Sequence, residues 1–210
     1  MNESRLVPTK REQIDAAMKH LRAGDPIIKE LIRRVGPFRM KLRRDRFQAL
    51  VRAIVSQQIS TAAAREVLRR LNELVAKEGL TSEVICRLDT ESLRSVGLSR
   101  QKASYLRDLA EKTREGQLRL NRLGRLSDEQ AIEEMTTVKG VGRWTAQMLL
   151  MFSLGRLDVL PHDDFGIRSA IRNLYELDEL PDASTSQRIA EPWRPYATVA
   201  CWYLWRSHEL

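Results

Sequence analysis

Apolar residues recur at steps of three and four positions along most of the chain, which is the spacing of one buried helix face. The clearest run lies between residues 45 and 76, and polar residues interrupt it near Gln57–Thr61. The apolar positions of this run are Phe47, Leu50, Val51, Ile54, Val55, Ile59, Ala63, Val67, Leu68, Leu71 and Leu74. The pattern predicts two helices separated by a short polar loop.

Start and stop signals divide the rest of the chain into further helices. Gly97 is placed to end one helix and Ser99 to cap the next, over residues 100–115. Ser127 and Gln130 have the spacing of a capping box. Other predicted helices span residues 81–88, 90–96, 144–154, 164–174, 185–191 and 196–205. Because no segment shows a convincing alternation of strands, the expected fold is all-α, and the first few residues are expected to be disordered.

The composition indicates what kind of molecule the protein binds and in which cellular compartment it acts. The 210 residues suffice for one compact domain or two small lobes, and the net charge of +8 favours an anionic partner, with nucleic acid ahead of an acidic membrane. A basic enzyme without a polyanion partner stays open. Two cysteines, Cys86 and Cys201, exclude a four-cysteine zinc or iron–sulfur site. Without an apolar signal region or membrane-length run, we expect an intracellular, cytoplasmic protein.

The segment KGVGR, residues 139–143, places two glycines between two predicted helices. Gly140 and Gly142 permit backbone angles that other residues resist. Such a turn can expose consecutive N–H groups beside a helix start, where a phosphate binds. Lys139 and Arg143 add positive charge. The alternative is an ordinary tight turn between helices.

Asp163 and Asp164 follow about twenty residues later, directly before an amphipathic helix. Either aspartate can cap that helix, which is the simplest interpretation. A carboxylate at a helix N-terminus is also kept ionised. It therefore suits a reaction that develops positive charge, such as glycosidic bond cleavage.

These segments together resemble the helix–hairpin–helix superfamily of DNA glycosylases, and within it the 3-methyladenine DNA glycosylase II (AlkA-type) group. The resemblance rests on VKGVGRWTA (138–146), PHDDFGI (161–167), AIVSQQIS (53–60), GLSRQKASYLRDLA (97–110) and PWRPYATVACWYLWR (192–206). It implies a two-lobed helical bundle with the active-site cleft between the lobes. It also implies a single glycosylase domain over residues 1–210, with its core at about 45–206 and the helical segment 1–44 completing one lobe.

The resemblance also implies roles for individual residues. Asp164 fits the family's D-x-x-I pattern and is the expected catalytic residue, stabilising the sugar cation and activating water. Core packing is the alternative for Trp202 and the favoured interpretation for Trp193 and Trp205. The expected base pocket comprises Trp144, Met148, Phe165 and Trp202. The expected contacts to the DNA backbone are Lys139, Gly140, Val141, Gly142, Arg143 and Thr145. The expected gap-filling residues, which occupy the space of the flipped nucleotide, are Gln57 and Gln58.

The sequence therefore favours a monofunctional DNA glycosylase for alkylated purines, acting as a monomer on double-stranded DNA with damaged bases, without a membrane partner. Family members that also cut the strand have a lysine after the hairpin, where this chain has Trp144. No cofactor and no side-chain metal site are expected, although the family allows a monovalent cation at the hairpin carbonyls. The alternatives are another lesion (uracil, hypoxanthine or a mismatched base), a non-catalytic DNA-binding module, and a generic basic helical protein. Asp164 argues against a pure binder, because a carboxylate facing an anionic backbone weakens binding.

Overall fold

The computed structural model describes residues 6–7 and 11–210, and in this part of the chain the structure is almost wholly helical. The α-helices are α1 (Arg11–Gly24), α2 (Pro26–Val35), α3 (Arg46–Ser56), α4 (Thr61–Leu74), α5 (Ser82–Arg87), α6 (Thr90–Ser95), α7 (Arg100–Arg114), α8 (Asp128–Thr136), α9 (Arg143–Leu149), α10 (Phe165–Leu174), α11 (Ala183–Ala190) and α12 (Ala197–Ser207). Two short strands, β1 (Leu6–Val7) and β2 (Leu42–Arg43), pair antiparallel. Two residues per strand are too few for an alternating pattern, which is why the sequence does not predict them.

The chain divides into two compact units. The first takes the chain up to Arg44 together with Leu150–Leu210, and the second is Asp45–Leu149. None of the described helices is long and apolar enough to cross a membrane.

The second unit is organised around α7. Helices α5 and α6 pack on α7, and α3 packs on α4, α7 and α9. The fully buried residues of this unit include Leu50, Ile54, Leu71, Leu93, Leu106 and Leu109. Helix α7 therefore has a fixed position from which its other side chains can support the adjacent loops.

The first unit is built from α1, α2, α10 and α12, with α12 packed on both α2 and α10. Asp25 caps α2 and is buried, and it accepts hydrogen bonds from the Tyr175 hydroxyl at 2.5 Å and from Trp193 Nε1 at 2.8 Å. Desolvation and the adjacent carboxylate raise the pKa of Tyr175 far above its usual range. Since every polar atom in this cluster has a partner, the cluster is a structural one.

The observed helices confirm the all-α prediction. The break at Gln57–Thr61, the capping box of Ser127 and Gln130, and the Ser99 cap are all observed. One prediction was wrong in detail: α9 ends at Leu149, and residues Leu150–Leu154 form a π-helical turn instead of continuing an α-helix to 154. Of the segment 1–44 that was predicted to be helical, residues 11–35 form α1 and α2, whereas residues 36–44 are not helical and include β2. The predicted disorder of the first few residues lies outside the described residues.

Candidate active site

Asp164 lies at the N-terminus of α10 as its capping residue. Its Oδ1 accepts hydrogen bonds from the Ile167 backbone N–H at 2.9 Å and from Trp205 Nε1 at 2.9 Å. The side chain is half-buried. Two N–H donors from different helices therefore hold this carboxylate at the start of α10.

The neighbouring Asp163 has different surroundings. It is exposed, and its Oδ1 lies 3.1 Å from the ring nitrogen Nδ1 of His162. Of the two adjacent aspartates, therefore, only Asp164 caps α10, which agrees with its assignment to the D-x-x-I pattern.

The aromatic residues around Asp164 differ from the predicted set. Phe165 follows it with 70% of its surface exposed. Trp205 contacts the carboxylate directly, and its ring lies 5.8 Å from that of Phe152. Trp202 packs edge-on against Phe38, with ring centroids 4.9 Å apart. Sequence reasoning placed Trp205 in the core and so missed it.

Trp144 and Met148, predicted to share a pocket with Phe165 and Trp202, belong to the second unit. Trp144 is 45% exposed on α9, and Met148 is half-buried one turn later. Asp164, Phe165 and Trp202 belong to the first unit. The base-pocket role of these residues stays a prediction.

The two glycines of the turn at 139–143 are not equivalent. Gly140 has a φ of +78°, and a Cβ built on it would lie 2.1 Å from Cδ2 of Tyr105. Gly142 has an ordinary φ, and its Cβ would meet no atom within 4 Å. Both glycines permit unusual backbone angles, but only Gly140 adopts one, and the bare backbone of Gly142 leaves space beside the turn.

Two backbone amides of the hairpin, which were predicted to point outward, donate hydrogen bonds within the protein. The Lys139 N–H donates to Asp108 Oδ2 at 2.9 Å, and the Val141 N–H donates to the Val138 carbonyl at 3.0 Å. A run of consecutive outward amides through the turn is thus excluded. Thr145 is only 5% exposed, and its predicted contact with the DNA backbone stays a prediction.

The two basic side chains flanking the turn each have a carboxylate neighbour. Lys139 Nζ is 3.8 Å from Asp108 Oδ1, and the lysine side chain is largely exposed. Arg143 makes two hydrogen bonds to Glu129, at 2.8 and 2.5 Å, and these hold the pKa of Glu129 below its usual value. Exposed pairs of this kind are weak and can exchange for a phosphate.

Asp108 and Lys112 support the hairpin from α7. Lys112 Nζ donates to Asp108 Oδ2 at 2.8 Å and to the Thr137 carbonyl at 2.6 Å. Burial alone would raise the pKa of Asp108, but the hydrogen bonds from Lys112 and the Lys139 amide outweigh it, so this pKa lies below its usual value. The carboxylate is thereby charged and fixed under the turn.

The loop between α3 and α4 is tied to the hairpin through Gln57, whose Nε2 donates to the Gly140 carbonyl at 2.7 Å. Lys102 Nζ donates to the carbonyls of Val55 and Gln57 at 2.7 and 2.6 Å, and burial lowers its pKa. Gln58 is exposed at the tip, with a φ of +54°. The pairing of Gln57 and Gln58 as gap-filling residues is thus corrected: Gln57 is an anchor, and Gln58 alone projects.

Three residues of α7, each three positions after the last, support the loop and the hairpin. Lys102 bonds the loop between α3 and α4, Tyr105 packs under Gly140, and Asp108 accepts the hydrogen bond from the Lys139 amide. Sequence reasoning missed these three residues. Their three-residue spacing in GLSRQKASYLRDLA is the signal from which they could have been found.

The described residues offer little to a cation. Among them no group of three or more His, Cys, Asp or Glu side chains could hold a metal ion. The carbonyls of Thr137, Val138 and Gly140 already accept N–H donors, one of them an ammonium group. Each of these carbonyl oxygens keeps a second lone pair, so the monovalent cation at the hairpin stays a prediction.

Known proteins resemble this chain over both units. Residues 51–195 match the model of the family described as HhH-GPD superfamily base excision DNA repair protein. DNA-3-methyladenine glycosylase 1 of Schizosaccharomyces pombe is 37% identical over 197 residues, which cover 91% of this chain and 86% of that protein.

Two solved structures resemble the fold and are each 36% identical in sequence. The 3-methyladenine DNA glycosylase of S. pombe in complex with abasic DNA has a TM-score of 0.84 and covers 93% of this chain and 97% of that one. A DNA-3-methyladenine glycosidase from Bacillus halodurans has a TM-score of 0.82, with 91% and 88% covered.

Proposed function

The chain belongs to the HhH-GPD superfamily of base excision DNA repair proteins, and we propose that Asp164 is the carboxylate with which it removes alkylated purines from DNA. The enzyme is a DNA glycosylase of the 3-methyladenine type that hydrolyses the N-glycosidic bond. One observation supports Asp164 above all: its carboxylate is held by two N–H donors at the start of α10.

The reaction uses this carboxylate in two ways. An alkylated purine carries positive charge, so it departs with the bonding electrons when its bond to C1′ breaks, and the sugar becomes an oxocarbenium-like cation. The Asp164 carboxylate stabilises that cation electrostatically. It then accepts a proton from the water that attacks C1′. The products are the free base and an abasic site.

A base must leave the helix to reach this carboxylate, and aromatic faces attract a cationic base. Phe165 is exposed directly beside Asp164. We assign the base pocket to Phe165 and Trp202. For Trp144 and Met148, which belong to the second unit, contact with the base stays a prediction.

The second unit supplies the proposed grip on the DNA backbone. The open space at Gly142 and the positively charged side chains of Lys139 and Arg143 suit a phosphate. Gln58 is the proposed wedge in the gap left by the flipped nucleotide. Phosphate contacts position the protein without reading sequence.

Three further properties follow from this chemistry. Trp144 follows Arg143, where a lyase would carry a lysine, and an indole cannot form a Schiff base, so excision proceeds without strand cleavage. The reaction requires no cofactor. We propose that a monomer acts on damaged double-stranded DNA inside the cell.

The test compares Asp164→Asn with Asp163→Asn on randomly methylated DNA, measuring free 3-methyladenine and 7-methylguanine. Asparagine keeps an oxygen for the cap but removes the charge, so Asp164→Asn should bind DNA and excise about 10²-fold or more slowly. Asp163→Asn should stay close to wild type. Full activity in Asp164→Asn would refute the assignment, and comparable loss in both would mean that the wrong aspartate was chosen.

The wild-type protein in the same assay tests the substrate class. Released alkylpurines with strands intact until alkali is added support a monofunctional glycosylase. Release of uracil or hypoxanthine alone, from DNA containing them, would move the specificity to another lesion. Binding without any released base would favour a non-catalytic module.

A further inference from the structure

Trp205 lies on α12, ten residues beyond the end of the family match at residue 195. Its indole N–H donates to Asp164 Oδ1 at 2.9 Å across 41 residues of sequence. We propose that Trp205 is a positioning residue that holds the Asp164 carboxylate in the orientation its reaction needs. This inference rests on the proposed function of Asp164.

The geometry restricts how the carboxylate can turn. The Ile167 N–H and the Trp205 indole both donate to the same oxygen, Oδ1, one from within α10 and the other from α12. An indole N–H can only donate a hydrogen bond, and this one donates to the oxygen that caps α10. Two donors converging on one oxygen fix the rotation of the carboxylate about its own axis, which a single capping bond does not.

Gly166 makes room for this contact. Its Cβ would lie 3.1 Å from Asp164 Oδ1 and 3.2 Å from Cδ1 of Trp205. Its φ is not in the left-handed region, so close approach explains a glycine in the first turn of a helix, where glycine is otherwise unfavourable. The glycine thus lets the indole reach the aspartate.

The indole is itself held in place from two directions. The ring of Phe152 lies 5.8 Å away, tilted by 32°. His208, one turn further along the chain, has Nε2 at 2.9 Å from the Gly166 carbonyl, so the end of α12 is tied to the first turn of α10. A rigidly placed donor is what electrostatic stabilisation of a transition state requires.

A second indole–aspartate pair provides a matched control. Trp193 Nε1 donates to Asp25 Oδ2 at 2.8 Å, and Asp25 also caps a helix, but it is buried in the structural cluster with Tyr175. The same chemical contact therefore occurs once beside the proposed active site and once away from it. Loss of the N–H should slow catalysis at Trp205 and lower only stability at Trp193.

The experiment measures single-turnover excision of 7-methylguanine and affinity for abasic-site DNA in Trp205→Phe and Trp193→Phe. Phenylalanine retains the ring packing but has no N–H. The loss of a hydrogen bond to a charged acceptor corresponds to a roughly 10- to 100-fold change in rate. Trp205→Phe should therefore excise the base more slowly by that factor, with its affinity for abasic-site DNA unchanged. Trp193→Phe should excise at the wild-type rate while melting at a lower temperature. A wild-type rate in folded Trp205→Phe would overturn the proposal.

Adding Trp205→Phe to Asp164→Asn separates positioning from direct contact with the base. If Trp205 acts through the carboxylate, the second substitution should cause no further loss of rate. An undiminished further loss would mean that the indole acts independently of Asp164, and the proposal would fail. Activity retained in Asp164→Asn itself would instead refute the proposed function.

Gly166→Ala is the variant to use if Trp205→Phe does not fold. It leaves the indole N–H in place but crowds both Oδ1 and the indole ring, and alanine favours a helix more than glycine does. We expect slower excision in a protein as stable as wild type. Unchanged excision would contradict the need for this close approach.

Discussion

The hairpin offers a sharp stability test, because Gly140 and Gly142 are two residues apart and have opposite surroundings. Gly140→Ala places a methyl group 2.1 Å from Cδ2 and 2.3 Å from Cε2 of Tyr105, so one of the two groups must move. It also forces a residue with a side chain to a φ of +78°. Gly142→Ala meets no atom within 4 Å and has an ordinary φ.

The two costs at Gly140 can be estimated separately. A residue with a Cβ in the left-handed region costs about 1–2 kcal/mol. An overpacked contact costs roughly 1–3 kcal/mol more. For a chain of this length, a total of about 2–5 kcal/mol lowers the melting temperature by roughly 5–15 °C.

Far-UV circular dichroism during heating measures both variants against wild type. Gly142→Ala should melt with wild type but bind DNA more weakly on every sequence, because its methyl group occupies the space proposed for the DNA backbone. In a Tyr105→Ala background, Gly140→Ala should cost only the backbone share, about 1–2 kcal/mol. A melting temperature of Gly140→Ala equal to wild type would refute the reasoning, as would an undiminished cost without Tyr105.

Three further outcomes are expected. Lys102→Met removes the ammonium group that holds two carbonyls at the end of α3, so the rate of single-turnover excision should fall several-fold while the affinity for undamaged DNA is retained. An unchanged excision rate would contradict this expectation. Asp25→Ala leaves a buried hydroxyl and a buried indole N–H without their acceptor, so the free energy of unfolding should fall by about 2–5 kcal/mol. Asp89→Ala, at an exposed helix cap, should lower it by only about 1 kcal/mol, and urea titrations should distinguish the two variants. Because the pKa of Asp108 lies below its usual 3.8, the ionised carboxylate stabilises the folded protein above pH 3.8, and this stabilisation is lost as the pH falls through the lower pKa of the folded state. Asp108→Asn should therefore lose less stability than wild type over that acid range, and equal losses would contradict the lowered pKa.

Local signals in the sequence were enough to predict most helices and the candidate aspartate. A capping side chain bonds a backbone N–H only three residues away, as at Ser99, Ser127 and Asp164. Such bonds depend on neighbouring residues alone, so residue type and spacing reveal them. The glycine turn followed by an aspartate at a helix start could be recognised for the same reason.

Contacts between distant segments decided the rest of the site. The Trp205 bond to Asp164 spans 41 residues and the Gln57 bond to Gly140 spans 83. Helical periodicity places Trp202 and Trp205 on similar faces of α12, but only the packing of α12 on α10 decides which of them meets the carboxylate.

The sequence by itself determined where most helices begin and which residue types could perform glycosidic chemistry, because those properties depend on neighbours along the chain. Only the tertiary structure decided that Gln58 projects while Gln57 is an anchor, and that the fold requires a glycine at position 140 but not at position 142. The reason is that these distinctions depend on what α7 and the hairpin place beside each residue, and spacing along a chain does not specify such neighbours.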